Sequence, residues 1–253
     1  MLIAWAIGFG LIIGSFLNVV IHRLPLGESL VTPRSRCPAC LTPIRPWDNI
    51  PVVSFLLLRG RCRDCGHAIS WRYPMVEALT GALFLATVLR FGLSLHTGTL
   101  LLFVAALVAV AFIDLDHQII PNVITLPGIP LGLALGILVG NPPVLDRVLG
   151  ALAGAGFLYL VLLYGGIAYG QDAMGEGDLN LIALVGAFLG WKGVVVTILV
   201  GCLTGSVTGL ALIAFRRLRR REHMPFGPFL ALGARAALFW GEALVDWYLG
   251  FLR

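Results

Sequence analysis

Charge is what this 253-residue chain has least of. Asp, Glu, Lys and Arg make up 12% of it, against 58% hydrophobic residues. A soluble domain usually carries about twice that charged fraction. The composition therefore excludes an ordinary water-soluble enzyme and points to an integral membrane protein whose surroundings are mostly lipid. The net charge of +5 then reads as a topology signal, and no nucleic-acid partner is expected. No basic residue precedes the first apolar stretch, 1–21, and no small-x-small cleavage site follows it, so it reads as a retained span and not a cleaved signal peptide. Internal repeats and low-complexity linkers are also missing. The polar stretch 22–73 is the only candidate subdomain, between a first transmembrane helix (1–21) and a membrane domain (74–253).

Apolar runs long enough to cross a bilayer recur along the chain. Helices are predicted at about 2–21, 74–91, 97–114, 124–140, 145–169, 193–215 and 227–250. The run LNLIALVGAFLG at 179–190 is apolar but short, covering about 18 Å of a roughly 30 Å core. Charge decides whether it crosses. Segment 23–72 carries eight arginines against three acids, and RRLRRRE at 216–222 carries five more arginines. The positive-inside rule puts both in the cytoplasm. That requires 179–190 to be a crossing of its own. The expected fold is an all-α polytopic membrane protein with about eight transmembrane helices, both termini outside, and a small cytoplasmic loop subdomain.

That loop reads CPAC, then 21 residues, then CRDC. Two Cys-x-x-Cys knuckles on one short polar segment suit a metal held by four thiolates, and Cys37, Cys40, Cys62 and Cys65 are predicted to hold a structural Zn²⁺. Closure would stabilise a segment too small for its own core. Free thiols or disulfides are the competing reading, and a cytoplasmic location disfavours disulfides. His67 is expected on the surface and not in the shell. Cys202, alone in an apolar run, is expected to be a small buried hydrophobe.

Acids cluster at two predicted helix ends, AFIDLDHQIIPN at 111–122 and GEGD at 175–178. Charge at membrane depth is costly and usually faces a cavity or a partner. Asp116, Asp172 and Glu176 fit interfacial or solvated positions. Asp114 closes an apolar span and Asp178 opens the next, after Gly175 and Gly177, which allow a sharp turn or a close approach. If these two ends meet, the carboxylates can share one proton: the ionised member takes a proton from water while the protonated member polarises a peptide carbonyl. A proton-translocating relay remains the alternative at this point.

The residues quoted so far, with GSFLNVVIHRLP at 14–25, WDNIPVVSFLLLRGRCRDCGHAISWRYPMVEALTGALF at 47–84, AMGEGDLNLIALVGAFLGW at 173–191 and MPFGPFLALGA at 224–234, resemble the bacterial type IV prepilin peptidases. These are GxGD-type intramembrane aspartic peptidases that double as N-methyltransferases. The resemblance implies a multi-pass protein of the bacterial inner membrane that acts on its cytoplasmic side. There it would cut the leaders of prepilins and pseudopilins after glycine. It also implies N-methylation of the new terminus, usually phenylalanine, with S-adenosylmethionine as donor. Carried over residue by residue, the catalytic aspartates are Asp114 and Asp178, and the four cysteines are the zinc ligands.

The chain departs from the family's frequent GxGDxKL in having Asn180 at the lysine position, where an ammonium would help keep a carboxylate ionised and an amide can only hydrogen-bond. It also has no Rossmann-like domain and no glycine-rich cofactor loop, so a methyl-donor site has to be built near 22–75. Glu77, at the start of a span beside the loop, is a candidate contributor, and pairing with Arg72 or Arg23 is its alternative role. Two other functions compete with the peptidase: a proton-coupled transporter, and a zinc-loop assembly factor without chemistry. The nearly pure Leu, Val, Ala and Gly of the outer span halves argues against a through-membrane path.

Overall fold

A computed structural model describes residues 1–169, 175–215 and 224–251. The Arg216–Arg221 cluster and Asp172 lie outside them. Among the described residues the chain is helical, with only two isolated β-bridges, both in the cysteine loop. The elements are α1 (Leu2–Arg23), a short α2 (Val53–Leu57), α3 (Arg72–Phe91), α4 (Leu95–His117), α5 (Asn122–Val139), α6 (Val144–Tyr169), α7 (Glu176–Ala214) and α8 (Gly227–Phe251). All but α2 are long and apolar enough to cross a membrane. The chain forms two compact units, Met1–Ala109 and Val110–Arg253.

In the first unit α1 lies antiparallel to α3. A Cβ at Gly10 would sit 2.8 Å from Gly81 Cα, and one at Gly14 would sit 2.7 Å from Glu77 Cα. One turn further on, the buried Asn18 donates through Nδ2 to the Tyr73 carbonyl at 3.1 Å. Small residues four apart let two apolar helices approach to backbone contact where no hydrophobic force drives them together. The Asn18 bond then fixes the register at the loop end.

The second unit is organised around α7. Gly190 breaks this 39-residue helix with φ 72 and ψ −177, a conformation essentially confined to glycine. The chain reverses there. Gly150 of α6 abuts Gly190 and Trp191, whereas Gly154 touches both Val194 and Ile182. Four residues forward along α6 are thus four residues forward on one arm of α7 and a turn back on the other, Gly186 packing at Gly150 and Ala151. The first arm, 176–189, is about 21 Å long and the second, 191–214, about 36 Å. Among the described residues seven helices are long and apolar enough to cross a membrane, and the short run at 179–190 falls on the first arm of α7. Residues 181–188 are all buried, as befits an arm flanked by α5 and α6 and by its own return.

At the reversing end lies Arg147, only 1% exposed. Its Nε donates to the Pro142 carbonyl at 3.0 Å and its Nη2 to Asn141 at 2.8 Å. Its Nη1 is shared between Gly132 at 3.3 Å and Ala187 at 3.1 Å. These carbonyls come from α5, the turn before α6, and the closing turns of the first arm of α7. Carbonyl oxygens carry negative partial charge, so a guanidinium donating to four of them is favourably placed. Gly136 makes the room, since a Cβ there would lie 2.5 Å from Arg147 Cδ. Replacing Arg147 by Ala removes four hydrogen bonds to a charged donor and should cost about 3 kcal/mol or more. Thermal unfolding of the detergent-purified chain should show a clear fall in midpoint, and an unchanged midpoint would refute this role.

Candidate active site and metal loop

Asp114 and Asp178 are both buried, 5% and 6% exposed, and the structure brings them together at the end of the second unit opposite Arg147. Asp114 ends the apolar run of α4. The helix closes four residues later on Gln118, whose N–H returns to the Asp114 carbonyl at 2.9 Å with φ 54. The Asp114 side chain meets the first residue of α8: Gly227 N–H donates to Oδ2 at 2.8 Å. Only glycine fits, because a Cβ at 227 would lie 2.7 Å from that oxygen. Asp178 occupies the first turn of α7, its own N–H bonded to the Gly175 carbonyl at 3.1 Å. Its Oδ1 is buried without a hydrogen-bond partner, and the Asp114 carboxylate acts on it electrostatically. Each carboxylate thus sits at a helix amino end, where free N–H groups and the helix dipole favour negative charge.

Ile120 is the spacer of this site. A Cβ at Gly177 would lie 2.7 Å from Ile120 Cβ, and one at Gly227 would lie 3.2 Å from its Cδ1. Gly177 is therefore the glycine of close approach. Gly175 differs from the expected sharp turn: its φ −77 and ψ 145 are open to any residue, and a side chain there would reach only ordinary contact with Asp178. Asn180 donates through Nδ2 to Asn122 Oδ1 at 2.9 Å, tying the first turn of α7 to the first turn of α5. Asp116 and Glu176 are exposed, so burial separates the four described acids of the 111–122 and 175–178 segments into two pairs. Cys202 is exposed on the outer face of α7, not buried as expected. Its apolar neighbours are lipid-facing positions, where hydrophobicity is no sign of a core.

In the first unit the four loop sulfurs converge. Each lies within 4.8 Å of the others, and Cys37 Sγ is 3.8 Å from Cys65 Sγ. A tetrahedral ion with metal–sulfur bonds of 2.3 Å needs sulfurs about 3.8 Å apart, so the four thiols can hold a metal ion. All are free of disulfides, and His67 stands exposed outside the cluster.

The two knuckles are copies of one another, a repeat that sequence inspection missed. RCPACLTPI at 36–44 and RCRDCGHAI at 61–69 share Arg-Cys-x-x-Cys and a closing Ile. Each forms one bridge, Arg36 with Pro43 and Arg61 with Ala68. Each turns through a positive φ just after its second cysteine, at Leu41 and Gly66. The bonds Cys37 N–Thr42 O and Cys62 N–His67 O correspond, as do Ile44 N–Ser35 O and Ile69 N–Gly60 O. Arg63 clasps Asp48 in a bidentate ion pair, closest at 2.6 Å.

The thiols are not equivalent without a metal. Hydrogen bonding from the side chain and then the backbone of Thr42 lowers Cys40 to about 6. Cys65 receives the His67 N–H, which acts downward, but loss of water and the crowding thiols of Cys40, Cys62 and Cys37 prevail and push it to about 12. Glu77, buried in α3, accepts the Val52 N–H at 2.7 Å and a hydrogen bond from Ser15. Arg23 turns instead to the Ser29 and Pro33 carbonyls.

These features define a polytopic helical membrane protein with a paired-carboxylate site in one unit and a four-thiol loop in the other. Residues 9–91 match the bacterial peptidase A24 N-terminal domain, and residues 101–210 match the type IV leader peptidase family. Chains from Aeromonas salmonicida, Stutzerimonas stutzeri and Pseudomonas aeruginosa, each called prepilin leader peptidase/N-methyltransferase, are 42%, 37% and 38% identical to it. The alignments cover 95%, 98% and 96% of this chain and 91%, 94% and 91% of theirs. No solved structure matches. The chain belongs to the type IV leader peptidase family.

Metal uptake by the loop should rise with pH. Between pH 6 and 8 the Cys65 thiol has to release its proton on binding, so apparent affinity should gain about tenfold or more per pH unit. The thiolate–Co²⁺ charge-transfer band would measure it, and a pH-independent affinity would contradict the four-thiolate assignment.

Proposed function

We infer that this protein is a prepilin leader peptidase and N-methyltransferase. It cleaves the leader from type IV prepilins and pseudopilins after glycine and methylates the new terminal amine. The observation that carries the peptidase half is the buried, adjacent pair Asp114 and Asp178. One carboxylate is held by a helix-end N–H, and the other retains an oxygen with no partner. Asp114, bonded to Gly227 N–H, is suited to stay ionised and take a proton from the attacking water. Asp178, whose Oδ1 lacks a donor, is suited to carry the shared proton and present it to the scissile carbonyl. Water attack forms the tetrahedral centre. Its collapse breaks the C–N bond, and the proton taken by Asp114 goes to the leaving amine.

The site lies at helix ends, not at mid-span, which suits a substrate whose apolar helix stays in lipid while its leader emerges. On the positive-inside argument, that end faces the cytoplasm of a bacterial inner membrane. Cys37, Cys40, Cys62 and Cys65 would hold Zn²⁺, which supplies a structural cross-link to a loop with little core of its own. S-adenosylmethionine is the methyl donor this reading implies. The proposed division is a first transmembrane helix at 1–21, a methyltransferase-associated loop at 22–73 and a transmembrane peptidase domain at 74–253.

The test uses the full chain in detergent with a prepilin, following leader release and methyl incorporation separately. Asp114→Asn and Asp178→Asn should each lower cleavage by about 10²-fold or more while a pre-cut pilin is still methylated. Undiminished cleavage in both variants would remove these aspartates from the mechanism.

A further inference from the structure

A cavity of about 390 Å³ lies beside the second cysteine knuckle. Its lining joins Phe55, Leu56, Ile69 and Trp71 to two arginines, Arg59 and Arg61. The rings of Phe55 and Trp71 meet edge to face, with 4.7 Å between centroids. The other arginines that pair in this loop have acids of their own. Asp48 holds Arg63 at 2.6 Å, and Asp64 holds Arg45 at 3.3 Å. Among the described residues no ion pair takes up Arg59 or Arg61.

The backbone is bent to place those arginines. At the end of α2 the Gly60 N–H returns to the Phe55 carbonyl at 2.8 Å and the Arg59 N–H to the Leu56 carbonyl at 3.1 Å. This pair of bonds closes a helix stop whose left-handed residue is usually glycine. Here it is Arg59, at φ 52. A long side chain in that region is uncommon, and such strain commonly marks functional sites. Gly60 follows at φ 69, and a Cβ there would lie 3.1 Å from the Phe55 ring. The two left-handed residues turn the chain into the Arg61–Ala68 bridge. Position supplies the last constraint. Trp71 directly precedes the span α3, and Trp71, Leu56 and Leu57 are 74%, 63% and 77% exposed. Exposed aromatic and apolar side chains at the start of a span belong at the headgroup level of a bilayer. A cavity there that is apolar inside and cationic at its edge suits an amphiphile with a phosphate. It does not suit the cationic sulfonium of a methyl donor.

We propose that this cavity seats one anionic phospholipid, its phosphate on Arg59 and Arg61 and its glycerol and first acyl segment against Phe55, Leu56, Ile69 and Trp71. The bound lipid ties the second cysteine knuckle to the bilayer surface at the start of α3. The site goes beyond both proposed activities and stands apart from them, since neither aspartate of the pair nor any of the four thiols takes part in it.

The test is native mass spectrometry of the full chain in detergent, titrated with phosphatidylglycerol and with phosphatidylcholine. Wild type should hold the first phosphatidylglycerol about tenfold more tightly or better. The double variant Arg59→Gln, Arg61→Gln should hold the two lipids equally. The control Arg34→Gln, Arg36→Gln removes the same charge at the other knuckle and should keep the preference. Arg59→Gln alone, which leaves the knuckle intact, should lose about threefold or more of it. The thiolate–Co²⁺ band checks that each variant still folds its loop. Equal binding of the two lipids by wild type, a full preference in the Arg59 and Arg61 variants, or an equal loss in the control pair would overturn the site. So would displacement of the lipid by inorganic phosphate or by S-adenosylmethionine, which would give the cavity to a soluble ligand.

Discussion

Two carboxylates cannot share a desolvated space inside an apolar bundle unless something offsets their charge, and in this protein the amino ends of α7 and α8 do so. Asp178 lies in the first turn of α7, and Asp114 accepts the first N–H of α8. Partial positive charge at a helix start falls off within a turn, so both helices have to begin at the level where α4 ends. The topology of the second unit follows from that requirement. From Asp114 the chain departs along α5, returns along α6, departs and returns through the two arms of α7, and sets out again as α8. The reversal at Gly190 makes the count come out even. The same arrangement bears on Asn180, which has no ammonium to offer. Its amide ties α7 to α5, and helix ends supply the positive field in place of a side chain.

Much of this was legible in the sequence because membrane segments announce themselves by length and composition. The short run at 179–190 stands apart from the run after it in the sequence, and the break at Gly190 separates the two arms of α7 at that point. The separation of Asp114 and Asp178 from Asp116 and Glu176 followed from their places in apolar runs, and burial divides them the same way. The cysteine spacing already implied convergence.

What escaped the sequence depends on three-dimensional neighbours. Arg147 reads as an ordinary helix-start residue, and nothing local shows that carbonyls from three segments converge on it. Cys202 was misjudged because apolar company means lipid as readily as core. Gly175 has extended backbone that any residue could adopt, while the packing role of Gly177 depends on Ile120, far away in sequence. The twin knuckles were overlooked because only the two cysteines, an arginine and an isoleucine recur. The repeat lies in backbone geometry that Leu41 and Gly66 reach with different side chains.

The knot at Arg147 has a consequence for how such a chain can drift. Every acceptor it uses is a main-chain oxygen, so the residues that supply those oxygens, Gly132, Asn141, Pro142 and Ala187, answer to it only through backbone position. Mutation at those sites is filtered by shape alone. The guanidinium, and the missing side chain at Gly136 that admits it, hold the whole chemical demand in two positions. A lineage could rewrite most of the surrounding alphabet and keep the junction, but it could not relocate the charge one residue at a time.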